Sequence, residues 1–135
     1  MDISNLLRQH QEVLGTAAKI SAYQNQQQVK DSAFEISMLL GQLSGKIKMH
    51  LASEDQFVYP NLMKHQDIHI RNTCEKFASE MGDLAKVFEE YKTRYLGASK
   101  IADNPDAFLA DTKNVFAALA ERIQRENKSL YTLLT

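Results

Sequence analysis

Apolar residues recur at steps of three and four along most of this chain, the period of amphipathic helices. In the first stretch, from about Ile3 to Tyr23, the inward face reads Leu6, His10, Val13, Ala17 and Ile20, widened by Leu7 and Leu14. Asp2 or Ser4 can cap its start. Asn25-Gln26-Gln27-Gln28 is a short polar connector. A second helix is expected from about Val29 to Met63, with the stripe Ile36, Leu39 or Leu40, Leu43, Ile47, His50, Glu54 and Phe57. Gly41 and Gly45 weaken it slightly. Glycines at this spacing also let a neighbouring helix approach closely. Pro60 removes a backbone donor and should kink or loosen the last turn. After the turn Lys64-His65-Gln66-Asp67, where Asp67 can cap, a third helix carries Ile70, Cys74, Phe77, Met81, Leu84, Phe88, Tyr91 and Tyr95. It should end near Gly97. Asn104 and Pro105 mark the start of the fourth helix, as N-cap and first helical residue. Its stripe is Phe108, Thr112, Val115, Leu119, Arg122, Glu126, Leu130 and Leu133. Four amphipathic helices with short connections predict an all-α, up-down-up-down four-helix bundle, one domain over residues 1–135.

The stripes contain an internal repeat. At a constant offset of 72, Leu43 falls on Val115, Ile47 on Leu119, Glu54 on Glu126, Val58 on Leu130, Tyr59 on Tyr131 and Leu62 on Leu134. At the same offset His50 falls on Arg122. The first and third helices correspond less well, at an offset of 71, where Glu12-Val13 falls on Asp83-Leu84 and His10 on Met81. The bundle is therefore expected to consist of two helix hairpins related by a pseudo-twofold axis.

Composition narrows the function. A formal charge of −1 with no basic block argues against a nucleic-acid binder. No apolar run is long enough to span a membrane, and the N-terminus has no apolar stretch resembling a signal peptide. The single cysteine, Cys74, excludes an intrachain disulfide, fits a reducing compartment and reads as a small buried apolar residue. A cytoplasmic protein is the expectation. No nucleophile–base pair and no glycine-rich phosphate loop is present, which favours binding over catalysis.

The candidate chemistry lies in the stripes. His50 and Glu54 are four residues apart and share a helix face directed at the core. A buried carboxylate is costly unless a metal ion, a cationic side chain or water compensates its charge. His10, His50, Glu54 and Glu126 can all bind metal, whereas Met81 and Arg122 stand where the repeat suggests further histidines. Met81 is read as core packing. Tyr59 and Tyr131 are read as packed aromatics with hydroxyls toward the bundle end, a bond to a carboxylate being the alternative. His65 and His69 are read as solvated turn histidines.

With its first-helix histidine His10, the His-x-x-x-Glu of His50 and Glu54, the aromatic-proline pair Tyr59-Pro60, and Glu126, the chain resembles the hemerythrin-like (HHE cation-binding) family over nearly its whole length. The resemblance implies a bundle holding two irons, bridged by carboxylates and capped by histidines, that binds or senses dioxygen or handles iron and reactive oxygen or nitrogen species. Because Met81 and Arg122 replace histidines of that pattern, two readings stay open. His10, His50, Glu54 and Glu126 could form a reduced, half site for one ion, iron or else zinc or manganese, with dioxygen or another small redox molecule as ligand. Alternatively, Arg122 replaces both metals, and the bundle is a metal-free interaction or regulatory module with a homodimer or another protein as partner. In either case the Arg122 guanidinium is expected in the core, bonded to Glu54 or Glu126.

Overall fold

In a computed structural model, which describes residues 2–134, the polar residues that mark helix starts take up those positions. The Asp2 carboxylate accepts from the Ser4 N–H at the head of α1 (Ser4–Ser21). Asn25 caps α2 (Gln26–Asp31), Asp67 caps α5 (Ile68–Arg94), and Asn104 caps α7 (Pro105–Arg125), each by accepting a backbone N–H of the first turn. The long second helix is α3 (Ala33–Ser53), continued through a π turn, Glu54–Val58, into α4 (Tyr59–Met63). A second π turn, Glu126–Leu130, follows α7 and leads into the tight 3₁₀ turn Tyr131–Leu134. Among the described residues there is no strand, and the architecture is the expected helical bundle. Packing of α1 on α3, α4 on α5, α5 on α7 and α7 on α1 closes the ring of four.

Three local expectations are corrected. The predicted second helix is not continuous from Val29, because the chain breaks at Ser32, between α2 and α3. The glutamines taken as a connector belong to α2, whose start Asn25 caps. The third helix does end near Gly97, but its C-cap is Tyr95; the N-cap of the next element is Gly97. Its φ of 93° lets the chain turn into a short extra helix, α6 (Ala98–Asp103), which carries the buried Ile101 back onto α3. Gly41 and Gly45 face outward, and no other helix comes close to either.

The core has two apolar layers. The larger contains Val13, Ile20, Ile36, Leu43, Phe88, Tyr91, Phe108 and Leu119. The smaller, towards the π turns, contains Leu6, Val58, Leu62, Cys74, Phe77, Leu130 and Leu134. Cys74 is a buried free thiol, as expected. The stripe order places a polar layer between them: His10 lies between Leu6 and Val13, His50 and Glu54 between Ile47 and Val58, and Arg122 and Glu126 between Leu119 and Leu130. All five polar residues are buried.

Candidate metal centre

The four residues His10, His50, Glu54 and Glu126 meet in this layer, and a ligand atom from each lies within 4.8 Å of the others. His10 Nε2 is 2.7 Å from Glu126 Oε1 and 3.1 Å from His50 Nε2. His50 Nε2 is 3.3 Å from Glu126 Oε1 and 3.5 Å from Glu54 Oε2. The second nitrogen of each ring is held from behind. His10 Nδ1 is 2.8 Å from Asn127 Oδ1, and His50 Nδ1 is 2.8 Å from Gln9 Oε1.

These outer bonds set the imidazole tautomers. Ser53 donates its hydroxyl hydrogen to the Met49 carbonyl and therefore accepts from Gln9 Nε2 at 3.0 Å. That orients the Gln9 amide with its oxygen towards His50, so the His50 Nδ1–H donates and the Nε2 faces the centre. Asn127 Oδ1, 2.8 Å from His10 Nδ1, is placed to accept from that ring in the same way. Neither Gln9 nor Asn127 stood out in the sequence, because both lie beside the apolar stripes. The usable signal was indirect: a buried imidazole needs a partner for its outer nitrogen, and Gln9 and Asn127 adjoin His10 and Glu126.

The π turns bring the tyrosines to this layer. In each turn a backbone N–H reaches five residues back, from Tyr59 to the Glu54 carbonyl and from Tyr131 to the Glu126 carbonyl. In an uninterrupted α-helix a residue five positions on would point well away from the glutamate. The extra residue in the turn rotates it back onto the same face. Tyr131 Oη thus donates to Glu54 Oε2 at 2.9 Å and lies 3.2 Å from both His10 Nε2 and His50 Nε2. Tyr59 Oη is 3.5 Å from Glu54 Oε1.

Arg122 fills the other side of the layer. It is 5% exposed, and its Nε donates to Glu126 Oε2 at 3.0 Å while Nη2 donates to Tyr59 Oη at 3.3 Å. The guanidinium also stacks on Phe77 at 4.7 Å, and Glu80 is 3.9 Å away. Its expected position in the core, bonded to a carboxylate, is the one it takes. Met81 is buried and lines, with Val13, Ile47, His50 and Arg122, a cavity of about 20 Å³, enough for one water-sized molecule.

Without a metal the charges are unevenly shared. Burial alone would depress the His50 pKa, but the Glu126 and Glu54 carboxylates outweigh it and raise it to about 9. Burial and the nearby Glu126 push the Glu54 carboxyl up. Burial acts on Glu126 in the same direction, yet bonds from His10 and His50 and the Arg122 charge hold it well below the usual carboxylate range. Burial, then the two glutamates, push the Tyr131 phenol up.

A donor set of two imidazole nitrogens and two carboxylates suits one iron, zinc or manganese ion. A second ion does not fit: the far oxygen of Glu126 is bonded to Arg122, and Met81 offers only a thioether. The model of the hemerythrin HHE cation-binding domain matches residues 1–134. The chain belongs to the hemerythrin HHE cation-binding family. No curated protein and no solved structure matches it. Within this hemerythrin domain the exposed His65 and His69 take no part in the cluster, and among the described residues no helix is long and apolar enough to cross a membrane.

Proposed function

We propose that this hemerythrin-family chain binds one metal ion, iron by family precedent, through His10, His50, Glu54 and Glu126, and that Arg122 stands in for a second cation. One observation carries the reading. Both outer imidazole nitrogens are engaged by amide oxygens, so both Nε2 atoms turn inward, 3.1 Å apart, beside a shared carboxylate oxygen. Such a convergence of electron pairs calls for a positive charge at its centre.

When bound, the ion supplies Lewis acidity and, for iron, one-electron redox chemistry. Gln9 and Asn127 hold the imidazoles in register. Arg122 neutralises Glu126 and keeps its second oxygen occupied. The two apolar layers exclude bulk water, and the small cavity beside His50 and Glu126 has room for one small molecule. Dioxygen or another small redox ligand is the substrate class this suits, in a binder or sensor rather than an enzyme.

The test is metal analysis of protein purified without a histidine tag and loaded anaerobically with ferrous iron. Close to one equivalent of iron, lost in His50→Ala, is expected. Less than about a tenth of an equivalent after loading overturns the reading. It would favour the metal-free bundle, in which a proton on His50, whose pKa is raised to about 9, supplies the central charge and the layer is structural.

A further inference from the structure

We propose that Tyr131 is itself a ligand, as a phenolate, of the ion that the His10–His50–Glu54–Glu126 cluster binds, an inference that rests on the metal reading above. The Tyr131 Oη is 3.2 Å from His10 Nε2, 3.2 Å from His50 Nε2, 2.9 Å from Glu54 Oε2 and 3.4 Å from Glu126 Oε1. A hydroxyl has one hydrogen to give, and the shortest contact, to Glu54, takes it. With both imidazoles neutral and protonated at Nδ1, the oxygen presents lone pairs to lone pairs against the other three atoms, which is favourable only with a cation among them, a metal ion or a proton on a ring nitrogen. Donor atoms bound at about 2.0–2.2 Å to one ion lie roughly 3 Å from their neighbours. These contacts have that spacing, as do those between His10, His50 and Glu126.

Charge balance points the same way. Glu54, Glu126 and a Tyr131 phenolate carry three negative charges, which balance Arg122 with a divalent ion and leave one positive charge with a ferric ion. Without the phenolate one more positive charge is left over in either case. On binding, the Tyr131 O–H bond breaks, an oxygen–metal bond forms, the proton leaves to the buffer and no oxidation state changes.

The repeat supplies an internal control. Tyr59, the counterpart of Tyr131, accepts from Arg122 Nη2 at 3.3 Å and has no imidazole beside it. The other tyrosines are bonded elsewhere: Tyr23 to Glu35, Tyr91 to Thr112 and Tyr95 to Asp111.

The experiment loads the whole chain with ferric iron and records metal content, visible absorption and resonance Raman spectra for the native protein, Tyr131→Phe and Tyr59→Phe. The native protein and Tyr59→Phe should show a phenolate-to-iron charge-transfer band with tyrosinate vibrations. Tyr131→Phe should lose the band and bind iron about 10- to 100-fold more weakly. Iron bound without the band overturns the proposal and leaves the metal reading standing, as does a band that survives Tyr131→Phe. Absence of bound iron in the native protein overturns both. If Tyr131→Phe does not fold, Tyr59→Phe decides. A band kept there belongs to Tyr131, the other tyrosine at the centre among the described residues, and a band lost there overturns the proposal.

Discussion

Arg122→Ala tests whether the guanidinium holds the polar layer together. The side chain is 5% exposed, and its charged nitrogens bond the buried Glu126 carboxylate at 3.0 Å and the Tyr59 hydroxyl at 3.3 Å. Removing one partner of a buried pair costs about 3–5 kcal/mol, because the other is left uncompensated. Glu126 keeps His10 at 2.7 Å, which favours the lower part of that range, while loss of the stacked contact with Phe77 adds to it. For a chain of this size each kcal/mol moves the melting temperature by roughly 3–4 °C, so a fall of about 10–15 °C is expected. Arg122→Met, which restores most of the volume without the charge, should recover only the packing part. Melts of the metal-free variants by circular dichroism, repeated with ferrous iron, measure both. A change below about 1 kcal/mol is what a solvent-exposed pair would give. It would refute the assignment of Arg122 as the compensating cation.

Further outcomes follow from the same geometry. Gln9→Leu and Asn127→Leu each release one imidazole from its tautomer and should weaken iron binding by about 10- to 100-fold in competition titrations, with little change in helix content by circular dichroism. Stability of the metal-free protein should fall as pH rises from about 6.5 to 9 in denaturant titrations, since a group whose pKa is raised on folding stabilises below its unfolded value and loses that contribution through its folded value; His50, at about 9, does this, and the raised Glu54 adds a fall of the same sign. Iron affinity should move the opposite way over that range because the ligands must lose protons, and a flat or inverted stability profile would exclude His50 as a buried imidazolium. Met81→His with Arg122→His should raise the iron bound by roughly twofold in metal analysis, and stoichiometry unchanged from the native protein would show that these two positions are not what limits the site.

What could be read from the chain followed the physics of periodicity. The stripes gave the helices, and the offset of 72 marked Glu54 and Glu126 as equivalent. Their side chains do meet, with His10 and His50, in one layer. The π turns were not readable. Pro60 explains a disturbed last turn in one half, but the turn after Glu126 has the same form with Thr132 in the proline's place. Periodicity counts residues on a 3.6-residue turn, and a single extra residue near a helix end leaves too short a run beyond it to reveal the slip. That slip decides where the tyrosine hydroxyls go, so the expectation that the Tyr131 hydroxyl points toward the bundle end is overturned: it sits in the polar layer, bonded to Glu54 as in the alternative reading and beside both imidazoles.

The repeat also explains why an arginine is tolerated where symmetry suggests an imidazole. His50 and Arg122 are equivalent by sequence offset, as are Tyr131 and Tyr59. The contact of His50 Nε2 with Tyr131 Oη at 3.2 Å therefore has a counterpart, Arg122 Nη2 with Tyr59 Oη at 3.3 Å. In one half the tyrosine oxygen, a glutamate and two imidazoles face one another, with no permanently charged side chain among them. In the other, tyrosine and glutamate oxygens face a guanidinium that brings its charge permanently. A covalently attached cation needs no metal supply and cannot dissociate, but it offers neither an open position nor a change of oxidation state. An exchange in one half of a twofold layer would keep the charge compensation that two buried carboxylates require and leave any metal chemistry to the half that retains its histidines.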